Sequence, residues 1–77
     1  MQIIIYGKDN CPNCAKTKML CQIKSVDFQY RTVGTDISVE GLTAKVGHTI
    51  ASLPQIFMDQ DNAITYVGGY DDLRAAI

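Results

Sequence analysis

Two cysteines separated by two residues, Cys11 and Cys14, constrain the fold of this chain more than any other feature. They follow an apolar run at residues 3–6, which is typical of a strand buried on both faces. Pro12 follows the first cysteine, and proline is favoured at the first position of a helix. The pattern therefore predicts a strand, a turn and a helix, with Cys11 at the N-terminus of that helix.

The rest of the chain is predicted to form further strands and helices. Asp36 can cap a second helix, which Gly47 then ends. The apolar positions of this helix, Val39, Leu42 and Val46, follow helical spacing. The predicted elements are strands at 3–6, 26–33, 55–58 and 63–67, a turn at 59–62, helices at 12–24 and 71–77, and the helix between Asp36 and Gly47.

The order β-α-β-α-β-β-α restricts the topology to a small set. A strand–helix–strand start implies two parallel strands joined by a right-handed crossover. The later strand pair is joined by a short turn and must be antiparallel. One mixed four-stranded sheet with helices on both faces satisfies both conditions. The chain of 77 residues is expected to form a single α/β domain over 1–77.

Composition narrows the classes of function. The net charge is −1, so nothing suggests electrostatic binding to nucleic acid. No apolar run is long enough to span a membrane. The sequence shows no export signal, and we expect a cytoplasmic location. Thiols are kept reduced in the cytoplasm, so the three cysteines are not expected to form structural disulfides. A Cys-x-x-Cys pair in that compartment indicates redox or metal chemistry.

The two cysteines are predicted to differ in chemistry. Cys11 meets the unpaired N–H groups of a helix N-terminus, which stabilise a thiolate, and Lys8 adds positive charge nearby. Cys14 lies one helical turn further on, where its sulfur can reach that of Cys11. We therefore predict Cys11 as the attacking thiol and Cys14 as the resolving thiol of a reversible disulfide.

Metal binding is the alternative for the cysteines. Zinc takes about four ligands, and this chain offers two further residues, Cys21 and His48, without the paired spacing of a zinc ribbon. Cys21 shares the helical face of Cys14 and is predicted to be a buried apolar residue. The other interpretation is that Cys21 is an auxiliary thiol that becomes glutathionylated. A second stripe of the helix contains Met19, and periodicity alone does not decide which stripe faces the sheet. If Cys14 points inward, the Met19 stripe is the more exposed one. His48 is predicted to be a loop residue and receives no role.

Three motifs together resemble the glutaredoxins, in particular the short ones of bacteria and their phages. They are Lys-Asp-Asn-Cys-Pro-Asn-Cys at 8–14, Ser-Leu-Pro-Gln-Ile-Phe at 52–57 and Gly-Gly-Tyr-Asp-Asp-Leu at 68–73. The resemblance implies a thioredoxin fold and glutathione as the reducing co-substrate, with no bound cofactor. Asn13 departs from the tyrosine often found between the cysteines, which affects substrate preference and redox potential.

The resemblance also implies a glutathione site. The Leu53–Pro54 bond would be cis and would turn the backbone of Leu53 toward Cys11, where a peptide can pair by strand addition. The residues implied in glutathione binding are Lys8, Leu53, Pro54, Asp71 and Asp72, with Tyr6, Asn13, Gly69 and Tyr70 as accessory residues. Each has an ordinary explanation as well: a solvated turn lysine, a proline that starts a strand, aspartates that cap a helix, and packed aromatic rings.

The main functional hypothesis is a glutathione-dependent oxidoreductase that reduces protein disulfides and glutathione mixed disulfides, with ribonucleotide reductase as a candidate substrate. The first alternative is a redoxin of the same shape that is reduced by thioredoxin reductase. A metal or iron–sulfur binding module is the alternative from another class. We expect a monomer in each case.

Overall fold

A computed structural model of the chain describes residues 1–77. Four strands and three helices follow in the order β-α-β-α-β-β-α, as predicted. They are β1 (Gln2–Gly7), α1 (Pro12–Ile23), β2 (Asp27–Thr32), α2 (Val39–Val46), β3 (Gln55–Gln60), β4 (Ala63–Gly68) and α3 (Tyr70–Ala76). None of the helices is long and apolar enough to cross a membrane.

The four strands form one mixed sheet in the order β2-β1-β3-β4. β1 pairs with β2 in parallel, with Ile5 opposite Tyr30, and with β3 in antiparallel fashion, with Ile5 opposite Ile56. β3 and β4 form an antiparallel hairpin. The central position of β1 explains its apolar run, because a central strand covered on both faces has no solvent-facing side chains. The predicted mixed sheet is confirmed.

A hydrophobic cluster lies on each face of the sheet. The cluster under α1 and α3 consists of Ile3, Ile5, Cys21, Ile56 and Leu73, all fully buried. The cluster under α2 consists of Ile4, Tyr6, Leu42 and Phe57. Alternate residues of β1 enter opposite clusters, since successive side chains of a strand point to opposite faces. The prediction of helices on both faces is confirmed.

The start of α2 differs from its prediction. Ser38, not Asp36, is the N-cap, and its Oγ accepts from the backbone N–H of Gly41 at 2.9 Å. The Asp36 carboxylate instead accepts from the backbone N–H of Thr32 at 2.7 Å and closes a turn after β2. Aspartate and serine side chains can each accept from nearby backbone N–H groups. Because Asp36 accepts within the turn, it does not cap the helix, and Ser38 does. Gly47 ends α2 with a φ of 92°, as predicted.

The hairpin between β3 and β4 is tighter than predicted. The turn contains only Asp61 and Asn62, with φ values of 55° and 64°, and β3 continues through Gln60. Two positive φ angles match the twist of the flanking strands, and Asp and Asn tolerate that conformation. The expected four-residue turn at 59–62 is therefore wrong by two residues, while the other boundaries shift by one or two.

Candidate active site

The cysteine pair lies where β1 passes into α1. Cys11 is the N-cap of α1 and Pro12 occupies its first turn. The two cysteines form a disulfide with their Cα atoms 5.2 Å apart. The backbone N–H of Cys14 lies 3.2 Å from Cys11 Sγ and points at it. Cys11 is partly exposed, whereas only 1% of Cys14 is exposed.

This arrangement gives the two sulfurs different tasks. An N–H donor and the positive end of the helix dipole face Cys11, and both favour its thiolate form. Cys14 has almost no solvent-exposed surface, so a bulky disulfide substrate meets Cys11 first. The buried sulfur can still reach its neighbour within one helical turn, which suits a resolving thiol.

The difference can be measured by alkylation of the reduced protein against pH. Cys11 should react fastest, with a pKa below that of a free thiol, and its rate should level off once pH exceeds that pKa. Cys21 serves as the internal control, because burial raises the pKa of its thiol and shields it from the reagent. Peptide mapping identifies the labelled residue. Faster labelling of Cys14 or Cys21 would show that the roles are misassigned.

The Leu53–Pro54 segment forms one wall beside Cys11. The bond is cis, and the backbone oxygen of Leu53 lies 3.7 Å from Cys11 Sγ. A cavity of about 430 Å³ opens here between α2 and the cysteine. Its lining is mainly apolar: Lys8, Asn10, Cys11, Pro12, Val33, Val39, Leu42, Ile50, Ala51, Ser52 and Leu53. Lys8 and Leu53 therefore line the same cavity as Cys11.

A hydrogen-bond network behind this wall was not predicted. Gln55 is a buried polar residue whose Nε2 donates to the backbone oxygen of Ser52 at 2.7 Å. Its Oε1 accepts from the hydroxyl of Tyr66, whose ring also lies against those of His48 and Phe57. The network satisfies the buried amide and holds the residues that precede Pro54. The sequence feature that could have predicted this network is the glutamine at the start of the apolar strand β3, since a buried amide needs hydrogen-bond partners.

The first turn of α3 lies next to Pro54. A Cβ on Gly69 would come 3.9 Å from the backbone oxygen of Pro54, so the two segments are in van der Waals range. The Asp72 carboxylate accepts from the backbone N–H of Gly69 at 2.9 Å. Gly68 has a φ of 123°, and a Cβ there would come 2.9 Å from Asp72 Cγ. Helix capping by Asp72 is thus present, and Asp72 is exposed. Neither Asp71 nor Asp72 lines the cavity beside Cys11.

The remaining accessory residues differ in their burial. Tyr6 is buried against Phe57 with ring centroids 5.7 Å apart, and its hydroxyl accepts from Arg31 at 3.2 Å. Tyr70 is half-buried and borders a small cleft with Met19 on the outside of α1. Asn13 is exposed, and its backbone oxygen accepts from the Thr17 hydroxyl at 2.7 Å. Packing therefore accounts for both tyrosine rings.

The structure contains no cluster of side chains suited to metal coordination. No group of three or more His, Cys, Asp or Glu side chains is arranged to hold a metal ion. His48 is exposed, and its ring contacts the backbone oxygen of Thr49 at 3.0 Å. His48 lies in the loop that follows α2, as predicted.

Comparisons with known proteins agree with this geometry. The glutaredoxin family model matches residues 3–62. Glutaredoxin 1 of Escherichia coli is 40% identical over an alignment of 83 residues, which covers 97% of this chain and 91% of that protein. Glutaredoxin 3 of the same species is 38% identical over 72 residues, covering 92% and 80%.

Solved structures give the same result. The NMR structure of reduced Escherichia coli glutaredoxin matches with a TM-score of 0.79 at 33% identity, over 99% of this chain and 92% of that chain. The match shows the thioredoxin-like fold, a mixed four-stranded sheet with three helices. With a paired Cys11 and Cys14 at the head of α1, the chain is a thiol–disulfide oxidoreductase and belongs to the glutaredoxin family.

Proposed function

We propose that this protein uses glutathione to reduce protein disulfides and glutathione mixed disulfides, with Cys11 as nucleophile and Cys14 as resolving thiol. The observation that carries the proposal is the position of Cys11. Its sulfur lies at a helix N-terminus and 3.7 Å from the backbone oxygen of Leu53, in a cleft that also contains Lys8. The cleft therefore offers a reactive thiolate, a peptide backbone edge and a cation side by side.

The reaction with a protein disulfide proceeds in two exchanges. The Cys11 thiolate attacks one substrate sulfur, the substrate disulfide breaks, and the released thiolate takes a proton from solvent. Cys14 then loses its proton and attacks Cys11 Sγ, which forms the Cys11–Cys14 disulfide and frees the second substrate thiol. Two glutathione molecules then return two electrons. The first attacks Cys11 Sγ, forms a mixed disulfide with Cys11 and frees the Cys14 thiol. The second attacks the bound glutathione sulfur and frees the Cys11 thiolate, and the two glutathiones leave together as oxidised glutathione.

Glutathione would lie in extended form across the cleft. The backbone of Leu53 can pair with its cysteinyl residue by strand addition. Lys8 can pair with the glycyl carboxylate, and the first-turn N–H groups of Asp71 and Asp72 suit the γ-glutamyl carboxylate. The exposed carboxylate of Asp72 can accept from the ammonium group of the same end. The approach of Gly69 to Pro54 supports this path, because it brings the start of α3 to the residue that follows Leu53.

Lys8→Ala and Asp72→Asn should each lower kcat/KM for glutathione by roughly fivefold, or about 1 kcal/mol, since both side chains are exposed and solvent screens their charge. Asparagine keeps an oxygen that can accept from Gly69, so the second variant removes charge and preserves the cap. Lys24→Ala, at the exposed C-terminal end of α1, is the control. Unchanged turnover in the Lys8→Ala/Asp72→Asn double variant would remove the glutathione site.

A coupled assay tests the reductant itself. The oxidised protein should be reduced by glutathione with glutathione reductase, and slowly or not at all by thioredoxin reductase. The reverse preference would replace the proposal by the thioredoxin-reductase alternative. We further propose that the protein acts in the cytoplasm, where glutathione is kept reduced, and that ribonucleotide reductase is a substrate to be tried in the same assay.

A further inference from the structure

A second cavity, here called the Lys18 cavity, opens beside Cys11. It measures about 500 Å³ and extends toward α1 and β2, whereas the first cavity extends toward α2 and Leu53. Its distinguishing lining residues are Asp9, Ala15, Lys18 and Tyr30. Cys11 therefore has a recess on each side. The proposed glutathione position uses Lys8, which lines both cavities, and leaves the four distinguishing residues of this one free.

The cation in this cavity is held in place. The Lys18 ammonium lies 4.4 Å from the centre of the Tyr30 ring, a cation–π distance. The Tyr30 hydroxyl in turn donates to the backbone oxygen of Lys8 at 3.0 Å. Burial and the nearby charge of Asp9 raise the pKa of Tyr30, outweighing the effect of its hydrogen bond to Lys8, so the phenol stays neutral at physiological pH.

No carboxylate of the chain pairs with this cation. The one ion pair in the structure joins Arg74 to Asp71, on α3. Lys18 is half-buried, whereas Lys16 and Lys24 on the same helix are exposed. Asp9 lines the same cavity but forms no ion pair with Lys18. An ammonium held over the Tyr30 ring and free of an ion pair is a site for an incoming carboxylate, because the partial burial of Lys18 reduces solvent screening.

We propose that the Lys18 cavity binds the side-chain carboxylate of an acidic residue next to the reacting cysteine of a substrate polypeptide. The inference rests on the proposed deglutathionylation activity. In that reaction Cys11 attacks the glutathione sulfur, a Cys11–glutathione bond forms, and the peptide leaves as a thiolate that takes a proton from solvent. With glutathione on the Leu53 side, the Lys18 cavity is the recess beside Cys11 that the residues flanking the departing cysteine can enter.

Three glutathionylated peptides that differ only in the residue beside cysteine test the inference. At low salt, kcat/KM should fall in the order Asp, Asn, Lys, with the Asp and Lys peptides differing by roughly threefold to tenfold. Lys18→Glu should bring this ratio to one or below, and Asp9→Asn should increase it. Lys16→Glu is the matched control: it changes the net charge equally but lies outside the cavity, and it should keep the wild-type ratio.

The ratio compares substrates on one enzyme, so a loss of folded protein cancels. Equal rates for the three peptides on the wild-type protein would overturn the inference. It would also fail if Lys16→Glu changed the ratio as much as Lys18→Glu, since long-range charge would then be the cause. If glutathione turned over none of the peptides, the proposed function itself would fail and the inference with it. If the peptides are turned over without a preference for charge, the inference about Lys18 fails and the proposed function stands.

Discussion

Cys14→Ser should retain most of the activity toward a glutathionylated peptide and lose more than about a hundredfold of the activity toward an intramolecular protein disulfide. The first reaction needs one thiol, because glutathione from solution releases the glutathione held on Cys11. The second needs a resolving thiol that attacks before the substrate escapes. α1 holds the two cysteines with Cα atoms 5.2 Å apart, which gives Cys14 a high effective concentration at the Cys11 sulfur.

Two further variants complete the experiment. Cys11→Ser should abolish both activities, because no other cysteine is both exposed and placed at a helix N-terminus. Cys21→Ser removes a cysteine that lies in the core outside the site, and it should change both activities only slightly in the fraction that folds. Mass spectrometry of Cys14→Ser with a protein substrate should show a trapped mixed disulfide at Cys11. Wild-type rates of protein-disulfide reduction by Cys14→Ser would contradict the division of roles.

The site's reactive pair was predictable because its signals are local. The apolar run of β1, Pro12 and the cysteine spacing all lie within about a dozen residues, and they determine which sulfur faces the helix N-terminus. The antiparallel hairpin was predictable for the same reason. Its turn length was not, because four polar residues at 59–62 are equally suited to a turn of two or four, and strand pairing decides between them.

Contacts between distant segments could not be predicted. The periodicity of α1 offers two stripes, one with Cys14 and Cys21 and one with Met19 and Ile23, and either could face the sheet. The structure buries the first and leaves Met19 and Ile23 59% and 73% exposed. Lys18 reaches Tyr30 only because β2 pairs with β1 in a particular register. The spacing of residues in the sequence does not determine this register. The Lys18 cavity therefore could not be predicted from the sequence.

Leu73→Ala should destabilise the protein by about 2–5 kcal/mol, the range for truncating a fully buried leucine. Leu73 has no exposed surface and packs in the cluster that includes Ile5, Cys21 and Ile56. α3 is only seven residues long, too short to be stable without tertiary packing, and Leu73 is its one buried residue. The loss is a large fraction of the roughly 5–15 kcal/mol that stabilises a typical domain, and a chain of 77 residues is expected near the lower end.

Denaturant unfolding of the oxidised protein measures this loss, with the disulfide intact in both variants so that the unfolded chains are comparable. Ile64→Ala is the matched control, since Ile64 is also a large aliphatic residue but is 63% exposed on β4, and its truncation should cost under about 1 kcal/mol. Leu73 also anchors the turn that carries Asp71 and Asp72. Any Leu73→Ala protein that remains folded should therefore bind glutathione more weakly while Cys11 keeps its alkylation rate, because α1 does not depend on that turn for its N-terminus. Equal costs for Leu73→Ala and Ile64→Ala would show that α3 is not held by this contact.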